Sequence, residues 1–255
     1  VNIKYILTTL FLGLCCSITV ASDLRAETLR VASIDWCPQL CQDQERRGYI
    51  TEIVEMVFEG SHYNLDITVY PWTRAIFMVR SGRAHALLSP TKNEAPNLLY
   101  PERVLGTQRM CFFSAAESKW RYSGVESLNG LKVGIAQDTS TKELDAYMRE
   151  HGDSVQVIPY DHSYIEKSLK KILAGRVDTF LSTYNSVIDE IRTLKLEGKY
   201  RSAGCLAAEN IYMAFSPDKS REVEVEKMMA YFDRRMRELK SSDRLQSIFD
   251  RYQLE

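Results

Sequence analysis

Long apolar runs, histidine, any excess of positive charge and flexible linkers are all scarce in this chain. Beyond the N-terminus no apolar run approaches the ~18 residues needed to cross a bilayer as a helix, which excludes a multi-span membrane protein. Only four histidines are present, and none stands near the CPQLC segment at residues 37–41, which argues against zinc. With 33 Lys+Arg against 34 Asp+Glu there is no basic face to predict, so nucleic acid is not the expected partner. Low-complexity tracts and Pro- or Gly-rich linkers are absent, so any two lobes should be joined by strands rather than a tether.

What is present begins with the N-terminus. Lys4 is followed by ILTTLFLGLCCSITVA, a positive start, an apolar core and small residues at Ala21 and Ser22. This pattern predicts a secretory signal peptide over residues 1–22, cleaved between residues 21 and 27, and an exported, periplasmic protein. A lipoprotein reading of Cys15 or Cys16 fails, because Leu14 or Cys15 stands where a small residue should precede the modified cysteine. Four cysteines follow: Cys37, Cys41, Cys111 and Cys205. In an oxidising compartment an even count favours disulfides, with three possible pairings. The spacing of Cys37 and Cys41 suits a local bridge, and Cys111 with Cys205 would then join two distant segments.

One stretch occurs twice. SGRAHALLSPT at residues 81–91 is matched by AGRVDTFLSTY at residues 174–184. In both, a helical run closes on Gly-Arg, and a short apolar strand follows that stops at small polar residues. Around each copy the chain reads as a β-α-β-α-β run. The first has strands at 29–34, 66–70 and 85–89 and helices at 49–59 and from Pro71 to Gly82. The second has strands at 131–137, 155–160 and 177–182 and helices from about 141 and over 163–174, preceded by a strand at 109–114. A strand at 211–216 and two helices, 221–239 and 242–252, close the chain. Two α/β lobes of this kind each offer strand tips to a shared cleft, where ligands of open sheets settle.

Seven segments in order then carry a family resemblance that spans roughly residues 28–252. They are LRVASIDWCP, GYITEIVEMV, VYPWTRAIFMVRSGRAHALL, LLYPE, LNGLKVGIAQDTSTKEL, ILAGRVDTFLST and LQSIFDRYQ. Together they resemble family 3 of the extracytoplasmic solute-binding proteins, those best known for polar amino acids. The resemblance implies an α/β, two-lobed (type II) periplasmic binding protein fold with a two-strand hinge. Lobe one would be residues 27–108 plus 216–255, and lobe two residues 109–215. The C-terminal helices would return to the first lobe. A monomer without cofactor or metal is expected, its partners a small polar ligand and a membrane permease or sensor.

Two anchors usual in that family are missing. Where an arginine should grip an α-carboxylate the chain reads SPTKNEAPN, placing Glu94, Ala95 or Asn97 there. Where an aspartate should hold the α-amino group stands Thr183. An ordinary α-amino acid is therefore not the expected ligand.

The candidate ligand-binding residues follow from position. Ser89, Pro90 and Thr91 face Thr183 and Tyr184 as paired strand tips. Thr139 and Ser140 stand before a helix N-terminus, where free N–H groups favour an accepting group, and Ser140 with Glu143 also makes a capping box. Trp36 and Trp72 sit at element edges and would wall a cleft. Arg74 and Lys92 are the cations placed to replace the missing arginine, and Asp35 and Glu52 are acceptors for a cationic group. An enzyme on the same scaffold, a cyclic-acid dehydratase for instance, would need Glu52, Glu94 or His85 as acid or base. A ligand-free interaction module is the third reading. His85 lies in the apolar run AHALL, the usual setting of a core histidine, so the expectation is binding, not catalysis.

Overall fold

The computed structural model describes residues 26–252 apart from 44, 138, 140 and 141. The expected signal peptide and the candidate Ser140 lie outside the described residues. β1 (Glu27–Ser33) is followed by α1 (Tyr49–Phe58), which buries Ile50, Ile53, Val54, Val57 and Phe58, the face its helical spacing marks out. The entry to α1 depends on Gly48, at φ 92°, where a Cβ would stand 2.5 Å from the Gln39 carbonyl oxygen. β2 (Tyr63–Val69), α2 (Trp72–Arg80) and β3 (Ala86–Leu88) complete the first run. β4 (Gly106–Gln108) crosses out of it.

The second run is entered by β5 (Met110–Ala115). It continues through β6 (Val133–Ala136), α3 (Lys142–Glu150), β7 (Val155–Ile158), α4 (Tyr164–Leu173) and β8 (Thr179–Thr183). Two elements then add to those expected from sequence: α5 (Tyr184–Thr193) and β9 (Tyr200–Cys205). β10 (Glu209–Ile211) crosses back, and β11 (Met213–Phe215), α6 (Glu222–Lys240) and α7 (Arg244–Tyr252) finish the chain.

The repeat seen in the sequence is a repeat of topology. One sheet has the order β11-β3-β1-β2, the other β7-β6-β8-β5-β9. In each, three parallel strands arise from a β-α-β-α-β run, and the third is flanked by an antiparallel strand. β3 and β8 are thus equivalent, and they are the strands of the two repeated segments. The crossing strands β4 and β10 pair antiparallel as a separate two-stranded ribbon.

Both sheets are covered on two faces. In the first lobe α1, α6 and α7 cover one face through Ile53, Val57, Met228, Phe232 and Ile248, and α2 covers the other through Ala75 and Val79. In the second, α4 and α5 pack Leu169, Ile172, Val187 and Ile191 on one face, and α3 packs Leu144 and Tyr147 on the other. The C-terminal helices do return to the first lobe: Arg244 pairs with Glu59 at 2.6 Å and Arg235 donates to the Val57 carbonyl. Cys37 is bridged to Cys41 and Cys111 to Cys205, the latter pair standing opposite one another in the β5–β9 register. Among the described residues no group of acids, histidines and cysteines is arranged to hold a metal, and no helix is long and apolar enough to cross a membrane.

His85 precedes β3 at the end away from the strand tip. Its Nδ1 accepts the Arg30 N–H at 2.9 Å, and Nε2 lies 3.5 Å from Glu224. Burial, then the Arg30 charge, holds its pKa below the usual value. The stability that neutral His85 contributes is complete above its unfolded pKa of about 6.5 and is lost as the pH falls below it, because the unfolded chain takes up the proton first. The melting temperature should therefore fall between about pH 7.5 and 5.5 in the native chain, and less in His85→Gln. Equal slopes would mean that His85 does not carry this dependence.

Candidate functional site

The carboxyl ends of the parallel strands carry the polar residues. β3 is followed at once by Ser89, whose φ of 64° is left-handed, one of only two such non-glycine residues among those described. Its side chain is 3% exposed, and its Oγ is a buried atom without a hydrogen-bond partner. A strained backbone costs ~1–3 kcal/mol, and an unpaired buried hydroxyl adds a further penalty. Both fall on one serine at a strand tip.

The segment after Ser89 is held firmly. Its own N–H donates to the Tyr212 carbonyl at 2.8 Å, and Tyr212 N–H returns to the Pro90 carbonyl at 3.1 Å. Thr91 and Glu94 cap one another: Glu94 Oε2 accepts the Thr91 N–H at 2.9 Å, and Thr91 Oγ1 accepts the Glu94 N–H at 3.3 Å. Burial raises the Glu94 pKa, and the Thr91 hydrogen bonds oppose that rise. Glu94 therefore has a structural use in this turn. Lys92 projects from the same turn, its Nζ 5.1 Å from the Tyr212 ring centre and 5.7 Å from that of Tyr100.

Around β1 and β2, Asp35 accepts the Gln42 N–H at 3.1 Å, and Trp36 bridges back to Leu40. Trp36 packs partly against the α1-side core, and Trp72, the first residue of α2, against the α2-side core. The Arg74 guanidinium lies 5.4 Å from the centre of the Tyr70 ring, at the end of β2. In the second lobe Thr139 bonds back to the Ala136 carbonyl at the end of β6. Thr183 turns its hydroxyl to Met110 Sδ at 3.4 Å. Tyr184 N–H donates to the Arg109 carbonyl, and the Arg109 guanidinium covers the Tyr184 ring at 4.6 Å.

Both oxygens of Glu52 are taken by α7, Oε2 by Arg251 and Oε1 by the Tyr252 hydroxyl, each at 2.7 Å. It fastens the C-terminal helix to α1. With Glu52 so bound, Glu94 tied into a turn and His85 at the far end of β3, none of the three groups considered for acid–base chemistry stands free at the strand tips.

The lobes also meet directly through residues that position alone does not reveal. Gln39, inside the Cys37–Cys41 loop and 1% exposed, donates to Ser186 Oγ at 3.1 Å. Arg46 pairs with Asp189 at 2.5 Å, and Asn185 lies 3.5 Å from the Tyr49 hydroxyl. Burial pushes the Tyr49 pKa up to about 12. All three partners lie on α5, which starts at the β8 tip without an intervening loop, so the first lobe grips the second beside the cleft. A polar glutamine between two bridging cysteines was the available sequence signal.

Two sheets of equivalent topology, joined by a two-strand ribbon, decide the architecture. This is the two-lobed periplasmic binding protein fold. No protein-family model matches the chain, and no curated protein matches it significantly. Solved structures with this fold do match over nearly their whole length. A histidine kinase sensor domain with similarity to periplasmic binding proteins aligns with a TM-score of 0.70 at 20% identity, over 89% of this chain and 96% of that one. A structure concerning glutathione import via GshT and the cystine ABC importer TcyBC of Streptococcus mutans aligns at 0.71 with 16% identity, over 89% and 94%. AncCDT-1, an ancestral amino acid-binding protein and precursor of cyclohexadienyl dehydratase, aligns at 0.65 with 11% identity, over 88% and 94%. Identities this low establish the periplasmic binding protein fold and nothing narrower.

Proposed function

We propose that this chain is an extracytoplasmic binding protein that takes a small polar solute into the interlobe cleft and reports or delivers it to a membrane partner. The lobes divide within the hinge strands at 106–108 and 209–211. Ligand contacts come from Asp35, Trp36, Trp72, Arg74, Ser89, Pro90, Thr91 and Lys92 on one side and Thr139, Ser140, Thr183 and Tyr184 on the other. The Ser89 hydroxyl carries the reading, since it has no protein partner and stands at the tip of β3 on a left-handed backbone, leaving it available to an acceptor there. The Gln39–Ser186 bond supports it, because two lobes that touch through a buried polar pair have a defined closed state for a ligand to select. A sensor domain and an importer-related protein share the fold, so the membrane partner is either a kinase-type receptor or a permease.

The test uses the sign of two effects. Ser89→Ala removes a buried unpaired hydroxyl, so the free protein should hold its stability or gain up to about 1 kcal/mol. The same variant should bind its solute about five- to tenfold more weakly. A solute at 100 times its Kd should stabilise the native chain by about 2.7 kcal/mol. Loss of stability in free Ser89→Ala with unchanged binding would make Ser89 a structural residue and remove the main support.

A further inference from the structure

Cations at the cleft ends of the two sheets are held in one recurring way. Lys92, after β3, lies over Tyr212 and Tyr100; Arg74, after β2, lies over Tyr70; Arg109, beside the β8 tip, lies over Tyr184. Among the described residues none of the three makes an ion pair. A ring face attracts and orders a cation without occupying its N–H donors, so these groups stay available to an acceptor in the cleft. The acids nearby are engaged locally: Asp35 Oδ1 takes the Gln42 N–H, Glu94 Oε2 takes the Thr91 N–H, and Glu209 accepts from Asn93 at 2.8 Å. At the β8 tip, where a carboxylate would hold an ammonium, stands Thr183 with its hydroxyl on Met110. Each of these carboxylates has a local hydrogen-bond donor, whereas the three cations have ring faces and no acidic partner, and they come from both lobes.

Their placement sets the ligand's length. Tyr212, under Lys92, stands one residue beyond β10, and Arg109 one residue beyond β4, at opposite ends of the hinge ribbon. Four strand residues, ~13 Å, separate those positions along the ribbon, which two long cationic side chains span with a small molecule between them. Ser89, three residues before Lys92, adds one buried hydroxyl donor.

We propose that the cleft takes a small organic dianion, a dicarboxylate without an ammonium group. One carboxylate meets Lys92 and the Ser89 hydroxyl in the first lobe, with Arg74 beside them, and the other meets Arg109 in the second. The inference rests on the binding function proposed above and names the class of its ligand.

Isothermal titration of the mature protein with succinate and 2-oxoglutarate, against L-glutamate, L-arginine and putrescine, tests it. The dicarboxylates should bind best, and more weakly as sodium chloride is raised. Lys92→Gln and Arg109→Gln should each weaken them at least about tenfold, since each removes a charge-assisted hydrogen bond. Lys92→Arg should keep most of the affinity. Arg83→Gln is the control of equal charge change, because Arg83 lies over Phe77 at the other end of β3, and it should bind as the native chain does. Unchanged melting of the free variants shows that they fold. Preference for L-glutamate, L-arginine or putrescine overturns the dianion and leaves the binding function standing, as does indifference to both Gln variants. Silence toward all five probes likewise overturns the dianion.

Discussion

Replacing Cys111 and Cys205 together with alanine should destabilise the protein by about 4–5 kcal/mol, the largest effect expected from any change of this size. The bridge closes a loop of 94 residues, and the loop entropy it removes from the unfolded chain grows with that length. For a chain of this size the melting temperature should fall on the order of 10 °C. The Cys37–Cys41 bridge spans only four residues and should be worth about 2 kcal/mol by the same reasoning. Differential scanning of the two double variants, with the fully reduced protein as a third sample, separates the contributions. Equal losses from the two bridges would show that loop length does not govern them here.

Ser186→Ala should weaken solute binding by about tenfold or more without touching a ligand contact. Where the lobes touch, Gln39 is buried against Ser186, and without the hydroxyl its amide is left unpaired, at a cost of about 1–3 kcal/mol. When the lobes part, water satisfies the same amide, so the penalty falls on the closed state alone and the population shifts toward the open one. Stopped-flow measurement should show the loss mainly as faster release. Gln39→Ala should weaken binding less, since it removes both the bond and the group that needs it, and the double variant should resemble Gln39→Ala. Strict additivity of the two single losses would mean that the pair is not coupled across the cleft.

Much of the architecture was legible because it is written in periodicity and repetition. The repeated Gly-Arg segments are β3 and β8, equivalent strands of two equivalent sheets, and α1 buries the five residues its spacing selects. α5 escaped because it follows β8 with no turn residue between them, so a strand tip at Thr183 and a helix at Tyr184 read as one segment. β9, YRSAGC, is an edge strand with few apolar residues, identified in space by its pairing to β5 rather than by a pattern of its own. Part of the site was legible as strand tips. What the sequence could not supply was the use of each side chain: Glu52 looks like a free carboxylate until α7 folds over it, and Gln39 like a loop residue until α5 meets it. Arg109 was not among the candidates, because its placement over the Tyr184 ring is visible only in the fold.

The position of the Cys111–Cys205 bridge has a mechanical side. Cys111 follows β4 by three residues and Cys205 precedes β10 by four, so the covalent tie lies at the point where both crossing strands enter the second lobe. The strands cannot splay apart there or slide past one another, and any torque on one is carried at once by the other. A bend of one lobe against the other at that ribbon would therefore load both strands together rather than one at a time.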